Sequence, residues 1–143
     1  MKLVDTNLLV YGVNTASPLH ARARSWFQTA VSGDEAIGLP WVSLLGFLRI
    51  TTSPRALSRP LSAEQAIGIV DGWLALPNVV AISAGDSHWA TFRALIEEAG
   101  TAGNLTTDAH LAALAVENDC ELCSTDSDFA RFKGVRWVNP IAT

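Results

Sequence analysis

The sequence lacks long hydrophobic runs, clusters of charge of one sign and more than a few cysteines. Of its 143 residues, 49% are apolar and 17% are charged, a composition that excludes a disordered chain. The longest stretch without a charged residue, from Thr6 to Ala21, is interrupted by polar side chains, whereas a membrane-spanning helix needs about 20 apolar residues. Asp5 would break the apolar segment of a secretory signal. We therefore expect one cytoplasmic globular domain over residues 1–143, with no membrane segment.

The two cysteines, Cys120 and Cys123, form a C-x-x-C pair, which is typical of zinc or redox sites. Zinc needs two further ligands at metal spacing, but the three histidines are scattered along the chain. A redox pair normally opens a helix, whereas the residues around Cys123 are typical of a short buried strand. We therefore expect both cysteines to be structural and buried.

Short strand-like segments alternate with helical patterns along the whole chain. The strands are expected at residues 2–5, 36–39, 79–82, 121–124 and 135–138. Between them, helical patterns follow Thr6 and Asn7 as caps and then cover about 20–32, 41–52, 62–74, 86–99 and 108–118. This alternation predicts an α/β fold with a mainly parallel sheet and helices on both faces.

Three of the eight arginines lie in one apolar helix or in the loop that follows it. The helix at 41–52 is apolar almost all round, so we expect it to be buried on two sides. Arg49 lies among its apolar residues, which leaves open a structural ion pair or a phosphate contact. Arg55 and Arg59 lie in a proline-containing loop, where they are either solvated or bind RNA phosphates.

Three carboxylates are expected to meet at one edge of the sheet. Asp5 ends the first strand segment and Asp126 follows the fourth, and ligands bind at the carboxyl ends of parallel strands. Asp108 lies in the first turn of its helix on the same face as the apolar Leu111 and Ala112, and it therefore points inward.

Several buried carboxylates ionise together only when a cation neutralises them. Mg²⁺ or Mn²⁺ prefers oxygen ligands, leaves positions free for phosphate and activates water, which is the chemistry of a phosphodiesterase. The net charge of −4 does not oppose this, because assigning four carboxylates to a metal site leaves 10 acidic residues against 10 basic ones.

The segments MKLVDTNLLVY, TTDAHLAALAVE, CSTDSDFARF and VRWVNP together resemble the PIN-domain ribonucleases, in particular the VapC-like toxins of bacterial type II toxin-antitoxin systems. The resemblance covers nearly the whole chain. It implies a three-layer α/β/α sandwich with a short, mainly parallel central sheet. It also implies a Mg²⁺-dependent endoribonuclease that cleaves structured RNA such as tRNA or rRNA, binds a cognate VapB-like antitoxin and forms a homodimer.

The resemblance also implies roles for individual residues. Asp5, Asp108 and Asp126 match the first, third and fourth metal carboxylates, which are also the catalytic acids. Asp128 matches an accessory acid, although it is equally typical of a turn cap. The other accessory residues are Thr6 and Thr125, at hydroxyl positions that hold carboxylates or water, and Asn7, which accompanies Asp5.

The chain departs from the family pattern at Gly46. The second acid of the family commonly lies three residues before an arginine, and here that position is Gly46, with Arg49 retained. The departure puts a second metal ion in doubt and keeps an alternative open, in which a catalytically weakened PIN fold binds an antitoxin or RNA without cleaving. A receiver-like phosphoryl-transfer domain fits less well, because it requires paired acids after the first strand and a lysine after the last.

Neither His110 nor the tryptophans are predicted to be catalytic. His110 lies near Asp108, but the sequence offers no partner that would make it a general base. The five tryptophans are expected to fill the core or an interface.

Overall fold

The computed structural model describes residues 1–143 and contains one five-stranded parallel sheet with the strand order β3-β2-β1-β4-β5. The strands are β1 (Lys2–Val4), β2 (Ile37–Pro40), β3 (Val79–Ile82), β4 (Glu121–Cys123) and β5 (Trp137–Val138). All five predicted strands are present; β1, β4 and β5 are shorter than predicted, and β2 is shifted by one residue to include Pro40. The predicted mainly parallel sheet is confirmed.

Six helices connect the strands. They are α1 (Thr6–Tyr11), α2 (His20–Ser32), α3 (Trp41–Thr51), α4 (Ala63–Leu74), α5 (His88–Ala99) and α6 (Thr106–Glu117). Short 3₁₀ turns precede α6 and follow β4, at Gly103–Leu105 and Ser127–Arg131. None of the helices is long and apolar enough to cross a membrane.

Two hydrophobic cores lie on opposite faces of the sheet, because successive strand side chains point to opposite faces. Val4 and Cys123 belong to the core beneath α1 to α4, whereas Leu3 and Leu122 belong to the core beneath α5 and α6. The three-layer α/β/α sandwich predicted from the resemblance is therefore confirmed.

Three helix starts differ from the sequence prediction, one of them that of α5, which begins at His88 and not at about residue 86. The residue that caps α1 is Asp5 rather than Thr6 or Asn7, because its side chain accepts a hydrogen bond from the Thr6 N–H at 2.7 Å. Helix α6 begins two residues earlier than expected, at Thr106, directly after the 3₁₀ turn. The capping box of Ser62 and Gln65 at the start of α4 is present as predicted.

The prediction that α3 is buried on two sides is wrong. Leu44 and Phe47 are buried, but Trp41 is 48% exposed and Leu45 is 61% exposed. Arg49 follows them at the same spacing of four residues, is itself exposed and forms no ion pair. The structural ion pair considered for Arg49 is therefore absent, because the helix presents this face to solvent and not to a carboxylate.

Both cysteines are buried, free thiols, as expected. Burial is the main cause that raises the pKa of Cys120 and raises that of Cys123 to about 12. Neither thiol is therefore activated as a nucleophile, and the redox interpretation has no support.

Candidate active site

The carboxyl ends of β1 and β4 bring the predicted residues together. These two strands pair in parallel with Val4 opposite Cys123, and the Asp5 N–H donates to the Cys123 carbonyl at 3.0 Å. β2 lies beside β1 on one side and β4 lies beside it on the other. The strand order therefore reverses between β1 and β4. Ligand sites of open α/β sheets form at such a point.

The Ser124 hydroxyl organises the ends of these two strands. It donates to Asp5 Oδ2 at 2.7 Å and accepts from the Asp126 N–H at 3.0 Å and from Asn7 Nδ2 at 3.2 Å. Its own carbonyl accepts from the Trp137 indole at 3.0 Å. Because Ser124 is completely buried, these bonds hold Asp5 and the start of the Asp126 turn in one arrangement.

Ser124 was not among the predicted site residues, and the hydroxyl role was expected for Thr6 and Thr125. The Thr6 hydroxyl makes only a 3.5 Å contact to the Ser43 carbonyl, and the Thr125 side chain forms no hydrogen bond and lines a separate cavity of about 520 Å³. The sequence does contain a signal for Ser124. It follows β4 by one residue, as Asp5 follows β1, so two paired parallel strands bring the two residues together.

Three acidic side chains form a cluster near the carboxyl ends of β1 and β4. One carboxylate oxygen from each of Asp108, Asp126 and Asp128 lies within 4.8 Å of the others. The Asp128 N–H donates to Asp126 Oδ1 at 2.9 Å, so the 3₁₀ turn after β4 positions both acids. Asp128, expected only as an accessory acid, is therefore the third member of this acid triplet.

Asp5, which was also expected as a metal carboxylate, lies outside the acid triplet and is 9% exposed. Burial raises the pKa of Asp5, and the hydrogen bonds from Ser124 and Thr6 act in the opposite direction. The negative charge of Asp126 raises this pKa further, so Asp5 is electrostatically coupled to the acid triplet.

Asp108 is the most perturbed acid of the site. Burial and then the negative charges of Asp126, Asp5 and Asp128 raise the pKa of Asp108 to about 6. Asn7 Oδ1 is also buried at this site without a hydrogen-bond partner. Crowded carboxylates and an unpartnered amide oxygen form an all-oxygen donor set, which fits a hard divalent cation such as Mg²⁺ or Mn²⁺.

The raised pKa of Asp108 predicts that stability depends on pH when no metal is bound. An acid with a folded-state pKa above its unfolded value of 3.8 stabilises the fold while it is protonated. We expect the free energy of unfolding in EDTA to fall as the pH rises from about 4 to about 6. Urea unfolding across this pH range tests it, and Asp108→Asn should flatten the curve. An unchanged slope in that variant would remove Asp108 as the cause.

Gly46 packs directly against the first residue of α1. A Cβ atom at this position would lie 2.8 Å from Thr6 Oγ1 and 2.9 Å from Thr6 Cγ2. The position expected for a second acid is therefore occupied by the Thr6 side chain. An acidic side chain at position 46 could be accommodated only if Thr6 moved.

The three arginines predicted to bind RNA, Arg49, Arg55 and Arg59, are all exposed and form no ion pair. Arg55 and Arg59 lie in the loop between α3 and α4, as expected. Their guanidinium groups are free to contact phosphates, which carry the charge that Arg recognises with its planar fork.

The PIN domain family model matches residues 2–135 of this chain. The ribonuclease VapC33 of Mycobacterium tuberculosis is 46% identical over 141 residues, which cover 99% of both chains. The chain belongs to the PIN domain family, and its curated relatives place it among the VapC ribonucleases.

The similarity extends to solved structures at low sequence identity. The VapBC2 structure from Rickettsia felis, bound to a promoter DNA fragment, aligns with a TM-score of 0.71 at 18% identity and covers 96% of this chain and 97% of that chain. VapC20 of Mycobacterium tuberculosis, described as a Sarcin-Ricin loop cleaving toxin, aligns with a TM-score of 0.65 at 17% identity and covers 95% and 99%. At these identities the alignments support the fold.

Proposed function

We propose that this protein is a metal-dependent endoribonuclease, the toxin of a type II toxin-antitoxin system, which hydrolyses phosphodiester bonds in structured RNA. The observation that carries the proposal is the acid triplet, whose three carboxylate oxygens lie within 4.8 Å of one another. Like charges this close repel one another, and a bound divalent cation would offset that repulsion.

Asp5, Asp108 and Asp126, the carboxylates expected from the resemblance, would hold Mg²⁺ or Mn²⁺ together with Asp128, which lies with Asp108 and Asp126 in the acid triplet. When bound, the ion supplies a water of lowered pKa and neutralises charge on the phosphate. The chain itself orients the acids. Ser124 holds the Asp5 carboxylate and the Asp126 backbone, and Asp126 holds the Asp128 N–H. With Thr6 packed on Gly46, we propose that the chain holds one ion and not two.

The proposed substrate class is folded RNA such as tRNA or rRNA. A solved neighbour described as cleaving the sarcin-ricin loop, and relatives named ribonucleases, support RNA as the substrate. Arg49, Arg55 and Arg59 are exposed and have no acidic partner, so they would bind the phosphate backbone.

The test is cleavage of total cellular RNA by antitoxin-free protein with Mg²⁺, Mn²⁺ or EDTA. We expect discrete fragments that require the metal, and mapping of their ends identifies the substrate. Absence of fragments together with absence of Mg²⁺ binding by calorimetry would overturn the proposal. The second candidate, a PIN fold that binds an antitoxin or RNA without cleaving, would then be favoured, because Gly46 replaces an acid.

A VapB-like antitoxin is the proposed protein partner, supported by structural neighbours that are complexes of VapB and VapC chains. A cavity of about 130 Å³ between α1, α2 and α4 has room for one apolar side chain of such a partner. Leu8, Leu9, Phe27 and Trp73 line it, with Arg24 at its edge. Asp5 caps α1, the helix that supplies Leu8 and Leu9 to this cavity.

A second copy of this chain is the proposed cover for the exposed face of α3. Trp41 and Leu45 lie one turn apart on this face, and apolar side chains so exposed are typical of interfaces. We expect Leu45→Glu to shift the protein from dimer to monomer, measured by sedimentation at micromolar concentration. Ile67→Glu, at a position 51% exposed on α4, is the matched control and should leave the mass unchanged.

A further inference from the structure

The cavity of about 520 Å³ that Thr125 lines lies between α1, α2 and the segments that follow β4 and β5. Its other polar side chains are those of Tyr11, Arg22 and Asn139. No Asp, Glu or Lys side chain lines it, and Arg22 forms no ion pair. The lining therefore carries one positive charge that no acidic group neutralises.

The polar side chains of this cavity have hydrogen-bond donors without a protein partner. Arg22 Nη1 donates to the Ile141 carbonyl at 2.9 Å, and its other N–H groups bond to no protein atom. Asn139 Oδ1 accepts from the Ile141 N–H at 3.2 Å, which leaves the Nδ2 amide free to donate. The hydroxyls of Tyr11 and Thr125 also form no hydrogen bond. A guanidinium, an amide and hydroxyls that are all free to donate form a set of groups that binds an anion.

The cavity lies at the sheet edge that carries the candidate active site. β4 and β5 pair in parallel with Cys123 opposite Val138, and the Ser124 N–H donates to the Val138 carbonyl at 3.0 Å. Asn139 directly follows β5, so it stands beside the end of β4. The Ser124 hydroxyl holds Asp5 at 2.7 Å at that same end.

Thr125 joins the cavity to the acid triplet, because the next residue in the chain is Asp126. Covalent geometry keeps the Thr125 hydroxyl within about 10 Å of the Asp126 carboxylate, whatever their rotamers. Helix α6, which carries Asp108, packs on the face of the sheet opposite α1 and α2. A strand that reaches both sites would therefore cross the carboxyl end of β4, and about three stacked nucleotides span that distance.

Among anions, a phosphodiester matches this donor set. The planar fork of Arg binds phosphate oxygens, and hydroxyl and amide side chains are the other groups that commonly contact a nucleic-acid backbone. An RNA strand whose scissile phosphate lies at the acid triplet carries further phosphates on both sides of it, so it supplies such an anion at this spacing.

We propose that Arg22, together with Tyr11, Thr125 and Asn139, binds a backbone phosphate of the RNA substrate within about three nucleotides of the scissile one. The inference rests on the proposed ribonuclease function and adds a phosphate subsite to it. The subsite lies away from the reacting atoms, so it contributes to substrate binding and not to the chemical step.

The test measures initial rates of fragment formation from total cellular RNA with Mg²⁺, over a range of RNA concentrations and at several KCl concentrations. Arg22→Gln removes the charge but keeps an amide N–H, Arg22→Lys keeps the charge, and Tyr11→Phe removes only the hydroxyl. Arg93→Gln, at an exposed arginine of α5 that pairs with Glu97, is the matched control for loss of one positive charge. Thermal unfolding of each variant confirms that it folds.

We expect Arg22→Gln to raise the apparent KM about tenfold or more with little change in kcat. The slope of log KM against log salt should fall by about 0.7 to 0.9, the value for one lost phosphate contact. Arg22→Lys should restore that slope. Tyr11→Phe should raise KM about three- to tenfold and leave the slope unchanged, because a hydroxyl carries no charge. Arg93→Gln should match the unmodified protein.

Other outcomes overturn the inference in distinguishable ways. If the unmodified protein cleaves RNA and Arg22→Gln has the same KM and salt slope, the phosphate subsite is wrong and the ribonuclease proposal stands. If Arg22→Gln lowers only the thermal midpoint, Arg22 serves to fasten the segment around Ile141 and binds no phosphate. If the unmodified protein produces no fragments, the proposed function fails and the subsite fails with it.

Discussion

Replacing Asp108 by Asn is expected to abolish metal-dependent RNA cleavage while the protein remains folded. The change removes one of three carboxylates whose oxygens lie within 4.8 Å of one another, so metal affinity and activity should fall by about a hundredfold or more. Folding should not suffer, because burial and the charges of Asp126, Asp5 and Asp128 already disfavour the ionised form of Asp108.

Three measurements together test this expectation: fragment yield from RNA, Mg²⁺ binding by calorimetry and the urea midpoint. Asp71→Asn, at an exposed acid on α4, is the matched control and should retain both activity and metal binding. Unfolding of Asp108→Asn under conditions where Asp71→Asn is folded would count against a metal site. Full activity of Asp108→Asn would remove the acid triplet from the reaction.

The second large effect is expected at Gly46. An added Cβ would lie 2.8 Å from Thr6 Oγ1 and 3.4 Å from Thr6 Cβ, and the backbone of α1 fixes the position of that Cβ. Gly72, inside α4, has open space around it, so Gly72→Ala should stabilise the protein by about 0.5–1 kcal/mol. Gly46→Ala should be less stable than Gly72→Ala by about 1–3 kcal/mol, because overpacking costs that much.

A double variant separates this clash from other causes. Thr6→Ala removes both atoms that would lie within 3 Å of the new Cβ, so Thr6→Ala combined with Gly46→Ala should recover most of the lost stability. Urea unfolding of the two single variants and the double variant gives the coupling energy. If the effects of the two changes simply add, Thr6 does not explain why the position is glycine.

The contact between Gly46 and Thr6 also limits what an acid at position 46 could do. Gly46→Glu should lower both stability and RNA cleavage, because displacing Thr6 disturbs the bonds that hold Asp5. A rise in activity in that variant would show that the site lacks only the acid.

Much of the fold was predictable, since it depends on local patterns. The five strands follow from short apolar segments, and the α4 start follows from the reciprocal bonds of Ser62 and Gln65. The exposure of Trp41 and Leu45 was not predictable, because an apolar helix face carries no information about whether protein or solvent lies against it.

The sequence by itself determined the α/β class, the family, and the placement of Asp5 and Asp126 after two strands, because these depend on periodicity and order along the chain. Only the tertiary structure decided which oxygens meet. It joined Asp128 to Asp108 and Asp126, gave Ser124 the bond to Asp5, placed Thr6 against Gly46 and linked His110 to His88 and Glu117. Except for the local pair of Asp126 and Asp128, these are contacts between residues distant along the chain, and packing geometry sets them.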